Sequence, residues 1–180
     1  MAVKGGGALT AKLKRIKGKL GTPLEVHVGF LEKAKYDDGT PVAMVAAIQE
    51  FGAPKAGIPP RPFFRTMIAK NKADWPKLMA KHIKDNDYNA REALNAIGQD
   101  IEGQLRQSIV DTTAPQLSAV TLMLRWMKWK NPDLVVTGKV VGEAAARVAA
   151  GLSSAGVSTK PLVATGHMLN SISSEVVKGS

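Results

Sequence analysis

Four prolines, at positions 54, 59, 60 and 62, fall within the stretch VAAIQEFGAPKAGIPPRPFFR, residues 45–65. No other feature constrains the fold of this chain as strongly. Proline fixes φ near −65° and has no amide proton, so neither a helix nor an interior strand can run through the stretch. Upstream, Val42, Val45, Ala46 and Gln49 share one side at helical spacing, which predicts a helix over about 41–51. Thr40 is placed to cap it, Pro41 to open it and Gly52 to end it. Arg61-Pro62-Phe63 then opens a second helix at Pro62. The stretch is a stiff turn between two helices, and it contains no nucleophile and no metal-ligand cluster.

Other elements follow from periodicity. In PLEVHVGF, Val26, Val28 and Phe30 alternate with Glu25, His27 and Gly29, the pattern of a half-buried strand. Pro76 interrupts the second helix, and Asp74 is placed to cap a restart. Leu94, Ile97, Ile101, Leu105 and Ile109 step by 3, 4, 4 and 4, one apolar stripe on a long helix. Ser118 caps a further helix to about 130, with Leu122, Trp126 and Trp129 on one face and Arg125 and Lys128 opposite. Residues 131–160 are rich in Gly, Ala, Ser and Val and are expected to form a long flexible loop, in which GEAAARVAAG alone has the make-up of a short helix. A turn capped by Thr165 around Met168 and Leu169 leads into a last strand with Ile172, Val176 and Val177 apolar. The expected fold is α+β: a small, mostly antiparallel sheet packed by two or more long helices. A basic N-terminal arm (1–20) precedes a single domain (21–180).

Charge is unevenly placed. The chain has 25 basic and 15 acidic residues, a formal +10; six of the basic residues and none of the acidic ones lie in 1–20. The arm therefore carries +6 and the remaining 160 residues +4. Its Leu13, Ile16 and Leu20 recur at helical spacing, which predicts a short amphipathic helix. Lys12, Lys14, Arg15, Lys17 and Lys19 are the candidates to lie near a polyanion, nucleic acid being the commonest; the other reading is a solubilising tail. No apolar run approaches the ~20 residues of a membrane span, and the N-terminus lacks the apolar core of a secretory signal.

Several chemistries have no support. The absence of cysteine removes disulfides, thiolate catalysis and Cys-based zinc sites. His27, His82 and His167 are far apart and lack metal-ligand spacing. No serine sits in GxSxG or SxxK, and no glycine-rich loop has the pattern that cradles phosphates. Neither an enzyme nor a cofactor is expected.

Glu50-Phe51-Gly52, the proline-rich loop and Arg61-Pro62-Phe63 together resemble the signature of tailed-bacteriophage neck proteins, the head–tail connector or tail-completion family. APQLSAVTLMLR (114–125) and KPLVATGHMLNSI (160–172) look like the paired motifs of phage virion-morphogenesis proteins, with Pro161, Leu162, Thr165, Gly166, Asn170, Ser171 and Ile172 filling the second. The resemblance covers about residues 24–177. It departs at Ala164, where many relatives carry an acid, and in the length of 131–160. It implies an α+β fold and a homo-oligomeric ring around the DNA channel at the head–tail junction of a virion assembled in the host cytoplasm. Its partners would be neighbouring connector and tail proteins, with weak contact to genomic DNA and none to a membrane. Glu50, Phe51, Gly52, Pro60, Arg61, Pro62, Phe63 and Phe64 are then the subunit-interface candidates, and Arg61 is expected to pair with Glu50 or with an acid on a neighbour. Two other readings are a tail terminator and a stand-alone nucleic-acid-binding protein using the arm and the Arg125–Trp126–Lys128–Trp129 helix.

Overall fold

Gly98 determines how closely the sheet and the longest helix meet. That helix, α5 (Ala90–Asp111), lies against strands β1 (Leu24–Phe30) and β2 (Ile172–Lys178), which pair antiparallel from Leu24–Lys178 to Phe30–Ile172. A Cβ on Gly98 would come within 2.9 Å of Ser174 Oγ and 3.0 Å of Val26 Cγ2, so only glycine lets the layers approach this far. Opposite residues of an antiparallel pair share a face. The inward face is therefore Val26, Val28 and Phe30 with Ile172, Ser174 and Val176. Val177, apolar like Val176, pairs with Glu25 on the outer face. Ser174 tolerates its inward position by donating to Glu102 Oε1 of α5 at 2.6 Å.

The fold is mixed α+β. In the computed structural model, which describes residues 6–179, a two-stranded sheet accompanies eight α-helices among the described residues. Besides α5 these are α1 (Gly6–Leu20), α2 (Val42–Phe51), α3 (Phe63–Asn71), α4 (Trp75–Asp85), α6 (Ala119–Lys130), α7 (Gly138–Ala149) and α8 (His167–Asn170). The break expected near Asp74 separates α3 from α4, although Asp74 supplies no side-chain cap. Thr40 likewise does not cap α2: the N-cap is Pro41, one residue later than expected. Asn89 and Ser118 do cap α5 and α6, accepting from the first free amides of each. At the end of the chain Gly166, in the left-handed region, is the N-cap of α8, and Thr165 Oγ1 accepts from His167 N at 3.3 Å.

The core gathers where α2, α3, α5 and the last strand converge. Val42, Phe63, Met67, Leu105, Ile109 and Ile172 are buried there together with Leu162 and Met168. Each such side chain contributes about 1.5–3 kcal/mol by leaving water.

Residues 131–160 are not the long flexible loop expected from composition. Thr137 caps α7, and α7 packs on α6 through Met123, Met127 and Ala144, with Leu134, Val140 and Val148 around them. Small residues misled the reading: Ala144 is fully buried where α7 meets α6. This α6–α7 lobe is a satellite core beside the main one.

Candidate assembly interface

The joint between α2 and α3 accounts for every orphan amide at a helix start. The first four N–H groups of a helix have no partner within it. In α3 the N-cap, Pro62, has no N–H to satisfy; Phe63 N donates to Arg61 O at 2.8 Å, and Thr66 N makes the first helical bond, to Pro62 O at 3.3 Å. The two between them go to one side chain of the preceding helix: Glu50 accepts from Phe64 N at 2.8 Å and from Arg65 N at 3.2 Å. Glu50 is buried, and its negative charge sits at the positive end of the α3 dipole. Arg65 completes the arrangement, with Nε on Glu50 Oε1 at 2.8 Å and Nη2 on Glu50 O at 3.1 Å. Its guanidinium then lies over the Phe51 ring, 5.1 Å from the centroid.

Pro62 sets the direction of its neighbours. Its φ of −76° and ψ of 68°, with the Phe63 N to Arg61 O bond across it, describe an inverse γ-turn. Arg61 and Phe63 both point inward, at 4% and 1% exposure, while Pro62 itself is exposed. Arg61 does not pair with Glu50, the first of the two partners expected from sequence. Its Nη1 donates to Gln49 Oε1 at 3.0 Å and its Nε to Pro115 O at 3.0 Å. Burial pushes its pKa below the ordinary arginine range, yet a guanidinium remains charged at neutral pH.

Gly52 closes α2 at φ 77°, and a Cβ there would meet Ile58 O and Pro60 N, both at 2.9 Å. Beyond it the chain folds back on itself through an Ala53–Ile58 bridge.

The eight interface candidates therefore divide. Glu50, Arg61 and Phe63 are used by the chain's own fold. Phe64 is half-buried, edge-on to Phe63, and Gly52 shapes the turn. Pro60, Pro62 and Phe51 face solvent, Phe51 at 65% exposure. Met44, seven residues before Phe51 and so on the same face of α2, is half exposed. The result is an apolar strip on a helix whose end is held by buried hydrogen bonds.

Of the arm candidates, Lys12, Lys14 and Lys17 are exposed on α1. Arg15 and Lys19 instead meet Asp87 in the α4–α5 turn, Arg15 at 3.8 Å and Lys19 by a hydrogen bond. On α6 the Arg125–Trp126–Lys128–Trp129 face is only partly free. Arg125 donates to the carbonyls of Ser158 (2.7 Å), Lys160 (2.8 Å) and Pro161 (2.9 Å), tying the lobe to the segment that leads into α8. Burial lowers its pKa, and the nearby charge of Arg61 lowers it further. Trp126 packs within the lobe, and Lys130 covers the Trp129 ring at 4.5 Å. Sequence reasoning missed the role of Arg125, because its partners are backbone carbonyls that no residue type announces.

Comparison with protein-family models, with curated proteins and with solved structures gave no match.

Proposed function

We propose that this chain is a structural component of the bacteriophage head–tail junction, a neck or tail-completion protein whose copies form a ring around the DNA channel. The observation that carries the reading is the α2–α3 joint. A mostly exposed phenylalanine, Phe51, stands beside an acid, Glu50, whose hydrogen bonds are all internal, in the Glu-Phe-Gly and Arg-Pro-Phe motifs that resemble the family. A rigid exposed aromatic loses little entropy on docking and is the residue type that dominates interfaces. In this role the joint works by shape and needs no catalytic group. Lys12, Lys14 and Lys17 of α1 would meet passing DNA weakly and in a salt-dependent way.

Electron microscopy of lysates from a phage lacking the gene tests the proposal. DNA-filled heads beside separate finished tails are expected, and the gene supplied in trans rejoins them. Phe51→Asp supplied in trans is expected to leave thermal melting unchanged and to fail in rejoining. Tails of abnormal length would move the protein to the tail terminus, and normal infectious virions would remove the structural role.

A further inference from the structure

The surplus charge of this chain is confined to two segments that the fold brings together. Residues 1–20 carry six basic residues and no acid. Residues 63–85 carry Arg65 and five lysines against Asp74 and Asp85, a net +4. The other 137 residues hold 13 basic and 13 acidic ones, so those two segments account for the whole +10. Arg15 and Lys19 of α1 meet Asp87, two residues beyond the end of α4, so arm and α4 adjoin at one corner of the molecule. A surplus that served solubility alone has no reason to gather in adjoining elements and leave the rest balanced.

Helix α4 presents its lysines in a row. At 100° per residue, Lys77, Lys81 and Lys84 fall within about 60° of one another, opposite Trp75, Met79, His82 and Ile83. The three lysines are exposed and the other four residues half-buried. Trp75 Nε1 donates to Gln104 Oε1 at 2.9 Å, and His82 Nε2 meets Asp100 Oδ2 at 2.6 Å. The inner face is thus fastened to α5 near both ends, and the row points in a fixed direction. Arg65 is spent on Glu50, but the ammonium groups of Lys70, Lys72, Lys77, Lys81 and Lys84 have no partner among the described residues. Asp74 precedes α4 and Asp85 is its last residue; against these two acids stand five lysines, Lys70 and Lys72 leading into the row.

Such a row fits a regular array of anions. Lys77 and Lys84 are seven residues apart, about 10 Å along the helix axis, a length over which duplex DNA carries about six phosphates. A bilayer fits less well, because no large apolar side chain of 63–85 is exposed to enter it. In this α4 differs from α1, where Leu9 and Leu13 are exposed. A protein partner fits less well for the same reason, lysine being depleted from the buried centre of interfaces.

We infer that the outer face of α4 is a second binding surface for duplex DNA, in which Lys77, Lys81 and Lys84 meet backbone phosphates without regard to sequence. The arm lysines extend a surface that the folded body already provides. The inference deepens the proposed function, on which it rests for its setting, by naming the side of each copy that faces the channel.

Fluorescence anisotropy of a labelled duplex, titrated with the full-length chain at about 50 to 200 mM salt, tests it. K77Q/K81Q/K84Q changes exposed positions to another good helix former, so thermal melting is expected to stay as it is. Binding is expected to weaken about tenfold at the low-salt end, and the slope of log K against log salt to fall by about 2–3. K33Q/K55Q/K139Q removes the same charge from exposed lysines elsewhere and is expected to leave binding within about twofold. Equal losses from both variants would mean that net charge, not a site, attracts DNA. An undiminished α4 variant would leave binding to the arm alone, and no binding by the unaltered chain up to its solubility limit would remove both. Loss of phosphatidylserine-vesicle binding from the α4 variant, with DNA binding intact, would make the row a membrane face. Displacement of the duplex by poly-glutamate as effectively as by unlabelled duplex would make it a seat for acidic protein. Each of these overturns the inference. Weakened DNA binding by the α4 variant alongside normal virions from phage lacking the gene keeps this surface and removes the neck role; an undiminished α4 variant alongside separated heads and tails does the reverse.

Discussion

Glu50 and Asp87 both hold basic side chains of another element, yet one carboxylate is buried in the α2–α3 joint and the other stands in solvent under the α1 arm. Glu50 accepts two backbone amides as well as Arg65, and its side chain is 6% exposed. Asp87 meets Arg15 and Lys19 with its side chain 66% exposed. Removing Glu50 would leave two part-buried amides without partners, whereas removing Asp87 returns two cations to water. The charges are alike, and desolvation decides which contact holds the fold together.

The comparison breaks if the joint tolerates loss of its acid. Glu50→Ala is expected to destabilise the chain by about 2–4 kcal/mol, a drop of about 6–12 °C in the thermal midpoint, read by calorimetry. Gly52→Ala should cost about 2–3 kcal/mol in the same measurement, from a strained positive φ and the overlap with Ile58 O and Pro60 N. Arg125→Met keeps the aliphatic stem and removes the three carbonyl bonds. It should cost about 1–2 kcal/mol and raise amide exchange in 157–162 before it does so in α5. At the small end, Asp87→Asn should leave the thermal midpoint unchanged while proteolysis of the arm becomes faster.

Acid sharpens the same contrast. The hydrogen bond from Lys19, then its charge and that of Arg15, hold the Asp87 pKa below the ordinary 3.8. A lowered carboxylate pKa means that the contact is present above the ordinary value and is lost as pH falls through the folded one. Arm release, followed by proteolysis against pH, should therefore begin only below pH 3.8. Release near neutrality would show that Asp87 is not what holds α1.

Much of the fold was legible because periodicity reports burial. The stripe on α5 places Ile97, Leu105 and Ile109 in the interior, and the alternation of β1 turns Val26 toward α5. The stiff turn was legible too, since proline and glycine act on the backbone directly. Elsewhere residue type was ambiguous. Alanine-rich sequence over 131–160 reads equally well as a loop or as a close-packed helix, and only α6 lying alongside decides for the helix. At the candidate interface, the motif named Glu50 and Arg61 without revealing that Glu50 would take Arg65 and two amides of α3, and Arg61 a glutamine and a backbone carbonyl.

By itself, the sequence determined where helices start and stop around the prolines, which faces are apolar, and that the first twenty residues carry most of the excess charge; these are local properties of covalent geometry and side-chain chemistry. Tertiary structure alone decided that Glu50 serves α3 and that Arg61 and Arg125 bind backbone carbonyls. Those outcomes depend on groups 12 to 54 residues apart being brought within hydrogen-bond distance, and no local pattern encodes a partner that only the folded backbone supplies.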